Sequence, residues 1–194
     1  MSVVFATLGP EGTCHEYATI NYIRFQRIGD ARIDYVDNFL VALERLRQGE
    51  IDFIVQNSAH PQVFELTEKY FREVFVVDTF LFPTKAMGIL TRVNIDTPKV
   101  LGLMPAARGY IDAGQYEELV FETANPIVAR NLLAGKYDSG LTFLHYADDH
   151  PGRFRVDKVI GEVDTAWLVY GRKRRCNGKV IGVYDPSLFI KERA

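Results

Sequence analysis

Short apolar stretches alternate with longer amphipathic stretches along the first third of the chain. Three stretches rich in apolar and β-branched residues predict strands, at residues 3–8, 32–36 and 51–55. Between them, residues 15–27 and 38–47 carry apolar positions at helical spacing, and Gly49 follows the second helix as a stop signal. This alternation of strands and helices predicts an α/β protein whose sheets are mostly parallel.

The rest of the chain repeats this plan. Residues 74–92 have β-branched and aromatic residues without a helical period, so we expect extended strands that cross from one lobe to another. Further strands are predicted at 101–104, 119–122, 139–142, 154–159 and 165–170, and helices after Pro105 and over 126–133. Pro186 is expected at the first position of a last helix, because proline suits that position.

Two segments of the chain resemble each other, DNFLVALERLRQGEIDFIV at 37–55 and ANPIVARNLLAGKYDSGLT at 124–142. Each segment has an asparagine that can cap a helix start, Asn38 or Asn125, and a glycine that can end the helix in the left-handed conformation, Gly49 or Gly135. A chance match between two strand-helix-strand units is the alternative. A genuine repeat predicts two similar lobes around a cleft, lobe 1 at about 1–80 plus 160–194 and lobe 2 at about 81–159.

Composition narrows the possible ligands. The 194 residues are 47% hydrophobic, and 23 basic against 25 acidic side chains leave a net charge of -2. We therefore expect no nucleic acid partner and no membrane partner, since no block of positive charge is present. Cys14 and Cys176 are the two cysteines of the chain, and their spacing is not that of metal ligands, so we expect no metal site. So few cysteines suit a reducing compartment, and we take the cytoplasm as the default location. We expect no cofactor.

The stretch LGPEGTCHEYA at 8–18 places a glycine-rich turn between a strand and a helix. Gly9 and Gly12 allow a tight loop, and Thr13 or His15 can lie at the helix N-cap. Free backbone amides at a helix start attract carboxylates. A plain turn with a cap is the competing interpretation of the same residues.

These motifs resemble the prephenate dehydratase domain family in order along nearly the whole chain. LGPEGTCHEYA resembles its first Gly-Pro-x-Gly-Thr motif, and VQNSAHP at 55–61 lies where the family has Pro-Ile-Glu-Asn-Ser. LMPAARGYI at 103–111, ETANPIVARNLLAGKYDSGLT at 122–142 and VDTAWLVYG at 163–171 fall at the later motifs, the last a Thr-Arg-Phe strand. The resemblance implies a fold like type II periplasmic binding proteins, with prephenate between the lobes and a plausible homodimer.

The departures from the family are equally specific. Gln56 stands in place of a glutamate, Ala166 in place of an arginine and Trp167 in place of a phenylalanine, while Cys14 and His15 replace an aromatic and a hydroxyl residue. We also expect no C-terminal ACT domain and hence no feedback of the kind typical dehydratases have. In these respects the chain is similar to the non-aromatising prephenate decarboxylases of bacilysin-type antibiotic pathways.

The resemblance implies the following site. Thr165 is the expected catalytic hydroxyl, because a threonine in the family's Thr-Arg-Phe motif is thought to act as general acid, and His15 is a second catalytic candidate. The expected substrate-binding residues are Thr13, Cys14, Asn57, Ser58, Pro105, Ala106, Arg108, Thr123 and Trp167. Arg108 is included because its guanidinium can replace the missing arginine as a carboxylate clamp.

Three functions stay open from the sequence. The favoured one is decarboxylation of prephenate to a dihydro-4-hydroxyphenylpyruvate, because loss of the arginine beside Thr165 weakens help to the departing hydroxyl. An unregulated prephenate dehydratase that produces phenylpyruvate is the second. A binding module for a small dicarboxylate that has lost the chemistry is the third.

Overall fold

The computed structural model describes residues 2–182. Its strands are β1 (Val3–Leu8), β2 (Ala31–Val36), β3 (Phe53–Asn57), β4 (Phe75–Leu81), β5 (Met87–Arg92), β6 (Val100–Leu103), β7 (Glu118–Phe121), β8 (Ser139–Phe143), β9 (Phe154–Gly161) and β10 (Ala166–Gly171). Its helices are α1 (Cys14–Phe25), α2 (Phe39–Gln48), α3 (Val63–Lys69), α4 (Asn125–Leu133) and α5 (His145–Asp149), with short 3-10 turns at Pro105–Tyr110 and Ala113–Gln115.

The strands form two five-stranded sheets with the same topology. The first sheet has the order β2-β1-β3-β10-β4, and the second has the order β7-β6-β8-β5-β9. In both, the first three strands are parallel and the last two pairings are antiparallel. The predicted α/β class with two similar lobes is confirmed, but the sheets are mixed and not mostly parallel. The difference arises where the chain crosses between lobes. The first strand after each crossing, β10 in one sheet and β5 in the other, inserts antiparallel to its neighbours.

The first sheet is built from two separate segments of the chain, and the second sheet is built from one. β1 to β4 and β10 build the first sheet, whereas β5 to β9 build the second from one continuous segment. The chain therefore crosses between the sheets twice, once between Leu81 and Met87 and once between Gly161 and Ala166. We call the two halves lobe 1 and lobe 2, and the region where they meet the junction.

The internal repeat is visible in the helix ends as well as in the sheets. Asn38 caps α2 as predicted, with its side chain accepting a hydrogen bond of 2.7 Å from the Leu40 amide. Gly49 and Gly135 both have positive φ, 79° and 77°, as predicted for left-handed helix ends. The prediction for Asn125 is wrong: it is the first residue of α4, and its buried side chain contacts the Met87 sulfur instead of capping the helix.

Several boundaries differ from the sequence predictions. β3 runs over Phe53–Asn57 instead of 51–55, because Asp52 is held at the strand entry by hydrogen bonds with Val4. α3 and α5 were not predicted; both are short, and α3 buries only Leu66. The helix expected at Pro186 lies outside the described residues. Among the described residues, no helix has the length and apolar character needed to cross a membrane.

Each sheet is covered on both faces by apolar side chains. In lobe 1, one face packs against α2 through Ala42, Leu43 and Leu46, which are fully buried, and the other packs against α1 through Ala18. Burial of a leucine side chain contributes roughly 1.5–3 kcal/mol. These cores fix the ends of β1, β3 and β10, from which the candidate site is built.

Candidate active site

The loop after β1 is held by a capping network around Thr13. The Thr13 hydroxyl donates to the Leu8 carbonyl at 3.2 Å and accepts from the Glu16 amide at 3.3 Å. The Glu16 carboxylate in turn accepts from the Gly12 amide at 2.6 Å, an arrangement similar to a capping box. Thr13 is therefore the N-cap of α1, and its hydroxyl forms hydrogen bonds with backbone groups of the loop and the helix.

His15 lies in the first turn of α1 and faces the end of β3. Its Nε2 accepts a hydrogen bond of 3.4 Å from the Asn57 backbone amide, and its ring packs edge-on against Trp167 at 5.2 Å. The rings of Phe39 and His60 complete its surroundings. Burial, followed by the charge of His60, lowers the pKa of His15 from 6.5 to about 3. His15 is therefore a neutral imidazole at neutral pH, with Nδ1 carrying the proton.

Asn57 and Thr165 form a reciprocal side-chain pair. The Asn57 amide donates to Thr165 Oγ1 at 3.1 Å, and the Thr165 hydroxyl donates to Asn57 Oδ1 at 3.2 Å. Asn57 Oδ1 also accepts from the Ala59 amide at 2.8 Å, which fixes the orientation of the side-chain amide. The pair joins the end of β3 to the residue that precedes β10.

Trp167 lies directly across from Asn57 in the pairing of β3 with β10. Its side chain is fully buried, and its indole N–H donates to the Phe82 carbonyl at 2.9 Å. The ring supports His15 from below and holds the first crossing segment against lobe 1. The structure thus brings together four of the sequence-predicted site residues: His15, Asn57, Thr165 and Trp167.

Gln56 does not join this group, although it is adjacent to Asn57. It pairs with Leu168, and strand alternation places its side chain on the opposite face of the sheet, toward the α2 core. The side chain is fully buried, and within the described part of the chain neither its Nε2 nor its Oε1 has a hydrogen-bond partner. The position where the resemblance implies a glutamate therefore holds a neutral amide inside the core.

Lys85 is a site residue that the sequence reasoning missed. Its ammonium donates to the Gly12 carbonyl at 2.7 Å and lies 5.7 Å from the centre of the Tyr17 ring and 5.3 Å from that of Phe143. None of the ion pairs found within residues 2–182 involves Lys85. A signal was present, since Lys85 is the sole charged residue between positions 79 and 91 of an apolar crossing segment.

Cys14 lies at the same junction and packs against the cores of both lobes. Burial raises the pKa of the Cys14 thiol, and the backbone amide and charge of Lys85 oppose that rise. The thiol is therefore protonated at neutral pH and forms a weakly polar surface beside the Lys85 ammonium. Gly12 has a φ of 91°, a backbone conformation that favours glycine, and it lies beside Pro126 of lobe 2.

The remaining predicted binding residues are not part of this group. Ser58 is exposed, and only its backbone amide is bonded, to the Ala166 carbonyl. Pro105, Ala106 and Arg108 lie on the exposed surface of a 3-10 turn, and Thr123 is exposed before α4. Among the described residues, no group of three or more His, Cys, Asp or Glu side chains is arranged to hold a metal ion.

Two α/β lobes of equal topology, joined by two crossings of the chain, define a class of fold that includes solved prephenate dehydratases and a periplasmic VFT2 domain. No family model and no curated protein matches the sequence.

Three solved structures represent the class. Prephenate dehydratase from Arthrobacter aurescens in complex with L-Phe aligns with a TM-score of 0.65 and 20% identity, over 92% of this chain and 63% of that protein. The Staphylococcus aureus prephenate dehydratase aligns at 0.62 and 15% identity, over 90% and 67%. The periplasmic VFT2 domain of Bordetella pertussis BvgS aligns at 0.55 and 16%, over 88% and 80%.

Proposed function

We propose that this chain binds prephenate at the junction between its lobes and decarboxylates it without aromatising the ring, in antibiotic-type specialised metabolism. The motifs in the sequence and the fold shared with two prephenate dehydratases support the substrate. The observation that carries the reaction type is the way in which the Thr165 hydroxyl is bonded. A cytoplasmic location and a homodimer belong to the same proposal and rest on the cysteine content and the resemblance.

Thr165 is a poor proton donor in this arrangement but a good acceptor. Its proton is directed to Asn57 Oδ1, and one of its two lone pairs accepts from the Asn57 amide. The remaining lone pair can accept a hydrogen bond from the hydroxyl of a bound substrate. A hydroxyl that is held as a donor is not protonated, and an unprotonated hydroxyl is a poor leaving group, so the substrate retains it.

The reaction then balances as a decarboxylation. The bond between the ring carbon and its carboxylate breaks, carbon dioxide leaves, and the electron pair remains in the ring system. One proton from solvent is added to a ring carbon, so that prephenate and a proton give carbon dioxide and a dihydro-4-hydroxyphenylpyruvate. The ring keeps its hydroxyl and does not become aromatic.

Lys85 is proposed to hold the carboxylate that stays. The ammonium has two further N–H donors beyond the one used on Gly12, which suits the pyruvyl carboxylate of prephenate. The departing ring carboxylate is proposed to face the neutral surface of Cys14 and His15. A site with little water favours loss of a charged group as a neutral gas.

The deciding experiment incubates the purified protein with prephenate and follows the ultraviolet spectrum and the products by NMR. A non-aromatic keto acid that retains the hydroxyl supports the proposal. Phenylpyruvate would contradict it and assign the dehydratase function. Absence of both products, with measurable binding of prephenate, would assign the binding module.

Thr165→Val tests the role of the hydroxyl in the same assay. Loss of an acceptor for the substrate hydroxyl is expected to lower kcat/KM about tenfold or more, and Thr165→Ser is expected to restore most of it. Thr67→Val is a matched control, because Thr67 is an exposed threonine on α3 whose hydroxyl donates to the Val63 carbonyl. An unchanged kcat/KM in Thr165→Val would refute the assignment.

One observation favours the binding module as a second candidate. Arg108 and Thr123, the lobe 2 residues expected to contact substrate, are exposed and take no part in the junction group. The fold is also that of the BvgS VFT2 domain, described as periplasmic. In that function Lys85 and the pair of Asn57 and Thr165 bind a small dicarboxylate without turnover.

A further inference from the structure

A separate cavity of about 360 Å³ lies in lobe 1 beyond the C-terminal end of α1. Its apolar wall is formed by Phe5, Tyr22, Phe53 and Val77, with Phe5 stacked on Phe53 at 5.2 Å. Because an α-helix rises about 1.5 Å per residue, Tyr22 lies roughly 10 Å along α1 from His15. The cavity is therefore distinct from the junction, and its volume is in the range of about 300–1,000 Å³ typical of small-molecule sites.

A carboxylate stands at the polar end of this cavity. Asp78 on β4 accepts a hydrogen bond of 2.8 Å from the Tyr22 hydroxyl and one of 3.2 Å from the Gln26 side-chain amide. Burial, followed by the hydrogen bond to Asp78, raises the pKa of the Tyr22 hydroxyl, so the hydroxyl remains a donor. One oxygen of the carboxylate is thus bonded to two uncharged donors, and the other oxygen accepts from the Thr79 backbone amide at 2.9 Å.

A guanidinium covers the same carboxylate from the solvent side. Arg175 lies 3.3 Å from the second oxygen of Asp78 and donates to the Val77 carbonyl at 3.2 Å. About half of the Arg175 side chain is exposed, and exposed ion pairs of this kind contribute little to stability. Exchange of this pair for contacts with a ligand therefore costs little.

We propose that this cavity binds a zwitterionic α-amino acid with an apolar or aromatic side chain. The side chain lies against Ile28, Phe53 and Val77, the partly exposed apolar residues of the wall. The α-ammonium replaces Arg175 on the outer oxygen of Asp78, and the released guanidinium pairs with the α-carboxylate. Charge stays balanced in this exchange, which a simple amine or a simple acid does not achieve. The proposal does not depend on the reaction proposed for the junction.

The chain provides its own reporter of binding. Trp167 is the single tryptophan, and it stacks on Phe80 at 6.3 Å, which in turn stacks on Tyr22 at 4.7 Å. A ligand against Tyr22 is therefore expected to change the Trp167 fluorescence. Calorimetric titration of the same protein gives the affinity independently.

The test titrates the full chain with L-phenylalanine, 2-phenylethylamine and 3-phenylpropionate. Saturable binding of L-phenylalanine is expected, with the amine and the acid each about tenfold weaker or more, because each loses one charge-assisted contact. Asp78→Asn and Arg175→Gln are each expected to weaken L-phenylalanine binding about tenfold, since each removes one charged partner. Asp157→Asn, which removes the ion pair with Arg155 on β9, is the matched control and is expected to bind normally.

The proposal would be overturned by no binding of L-phenylalanine at millimolar concentration, by equal binding of 2-phenylethylamine, or by unchanged affinity in both cavity variants. Displacement of L-phenylalanine by prephenate would also overturn it, because it would place the ligand at the junction. Should Asp78→Asn fail to fold, Arg175→Gln changes an exposed side chain and gives the answer by itself. A protein that binds L-phenylalanine in this way but leaves prephenate unchanged supports this inference and refutes the proposed reaction.

Discussion

Lys85→Met removes the cation at the junction while it keeps most of the side-chain volume. Hydrogen bonds between an ammonium and a carboxylate contribute about 1.5–3 kcal/mol, and each 1.4 kcal/mol is a tenfold change in affinity. Prephenate is therefore expected to bind about 10- to 150-fold more weakly to this variant. The methionine retains an apolar stem between Tyr17 and Phe143, and the loss of the Gly12 hydrogen bond and of the cation–ring contacts is expected to lower the free energy of unfolding by about 2–4 kcal/mol.

Calorimetric binding of prephenate, steady-state kinetics and urea unfolding together check this prediction. Lys99→Met is the matched control, because Lys99 is an exposed lysine whose charge is paired with Glu117 on lobe 2. Affinity of Lys85→Met within about threefold of the unchanged protein, together with lower stability, would refute the reasoning. Lys85 would then only brace the two lobes.

Three further predictions concern stability. Gly102→Ala places a Cβ 2.2 Å from the Tyr137 ring and is expected to cost about 1–3 kcal/mol in urea unfolding, whereas Gly109→Ala, with open space around it, is expected to cost less than about 1 kcal/mol. The pKa of His15 is 6.5 in the unfolded chain and about 3 in the folded protein. Between pH 6.5 and 3 the unfolded state therefore binds a proton that the folded state does not, and the free energy of unfolding is expected to decrease as the pH falls through this range. His15→Gln should make that dependence shallower in urea unfolding at several pH values; an unchanged slope contradicts the assignment. Gln56→Leu removes a buried amide without partners and is expected to leave thermal stability equal or higher, so a clear decrease would reveal a partner for that amide.

The fold was largely predictable because its signals are local. Turn and cap residues such as Asn38, Gly49 and Gly135 affect only the backbone within a few positions of them in sequence. The sequence repeat in which they lie corresponds to the shared topology of the two sheets. Asn125 was mispredicted because the contact that fixes its side chain, Met87, is distant in sequence and belongs to a strand that local patterns do not pair. The mixed sheets escaped prediction for the same reason, since strand direction after a crossing depends on tertiary packing.

The candidate site was predictable only in part. His15, Asn57, Thr165 and Trp167 follow motifs that a resemblance can align, and the structure places them in contact. Lys85 belongs to no such motif, and its role emerges only when the crossing segment meets the loop at Gly12. The sequence likewise contained no sign that the charge state of His15 is set by the rings packed around it.

The first sheet is built from two separate segments of the chain, and this affects the order in which the lobes can fold during synthesis. Lobe 2 is complete once Gly161 has left the ribosome, whereas the sheet of lobe 1 awaits β10, which inserts between β3 and β4. Until then β3 has an open edge, β4 has no strand partner, and Asn57 has no Thr165 to bind. Domains generally fold as units, N-terminal first. Here the later lobe is expected to fold first, and the site assembles in the step that closes the earlier one.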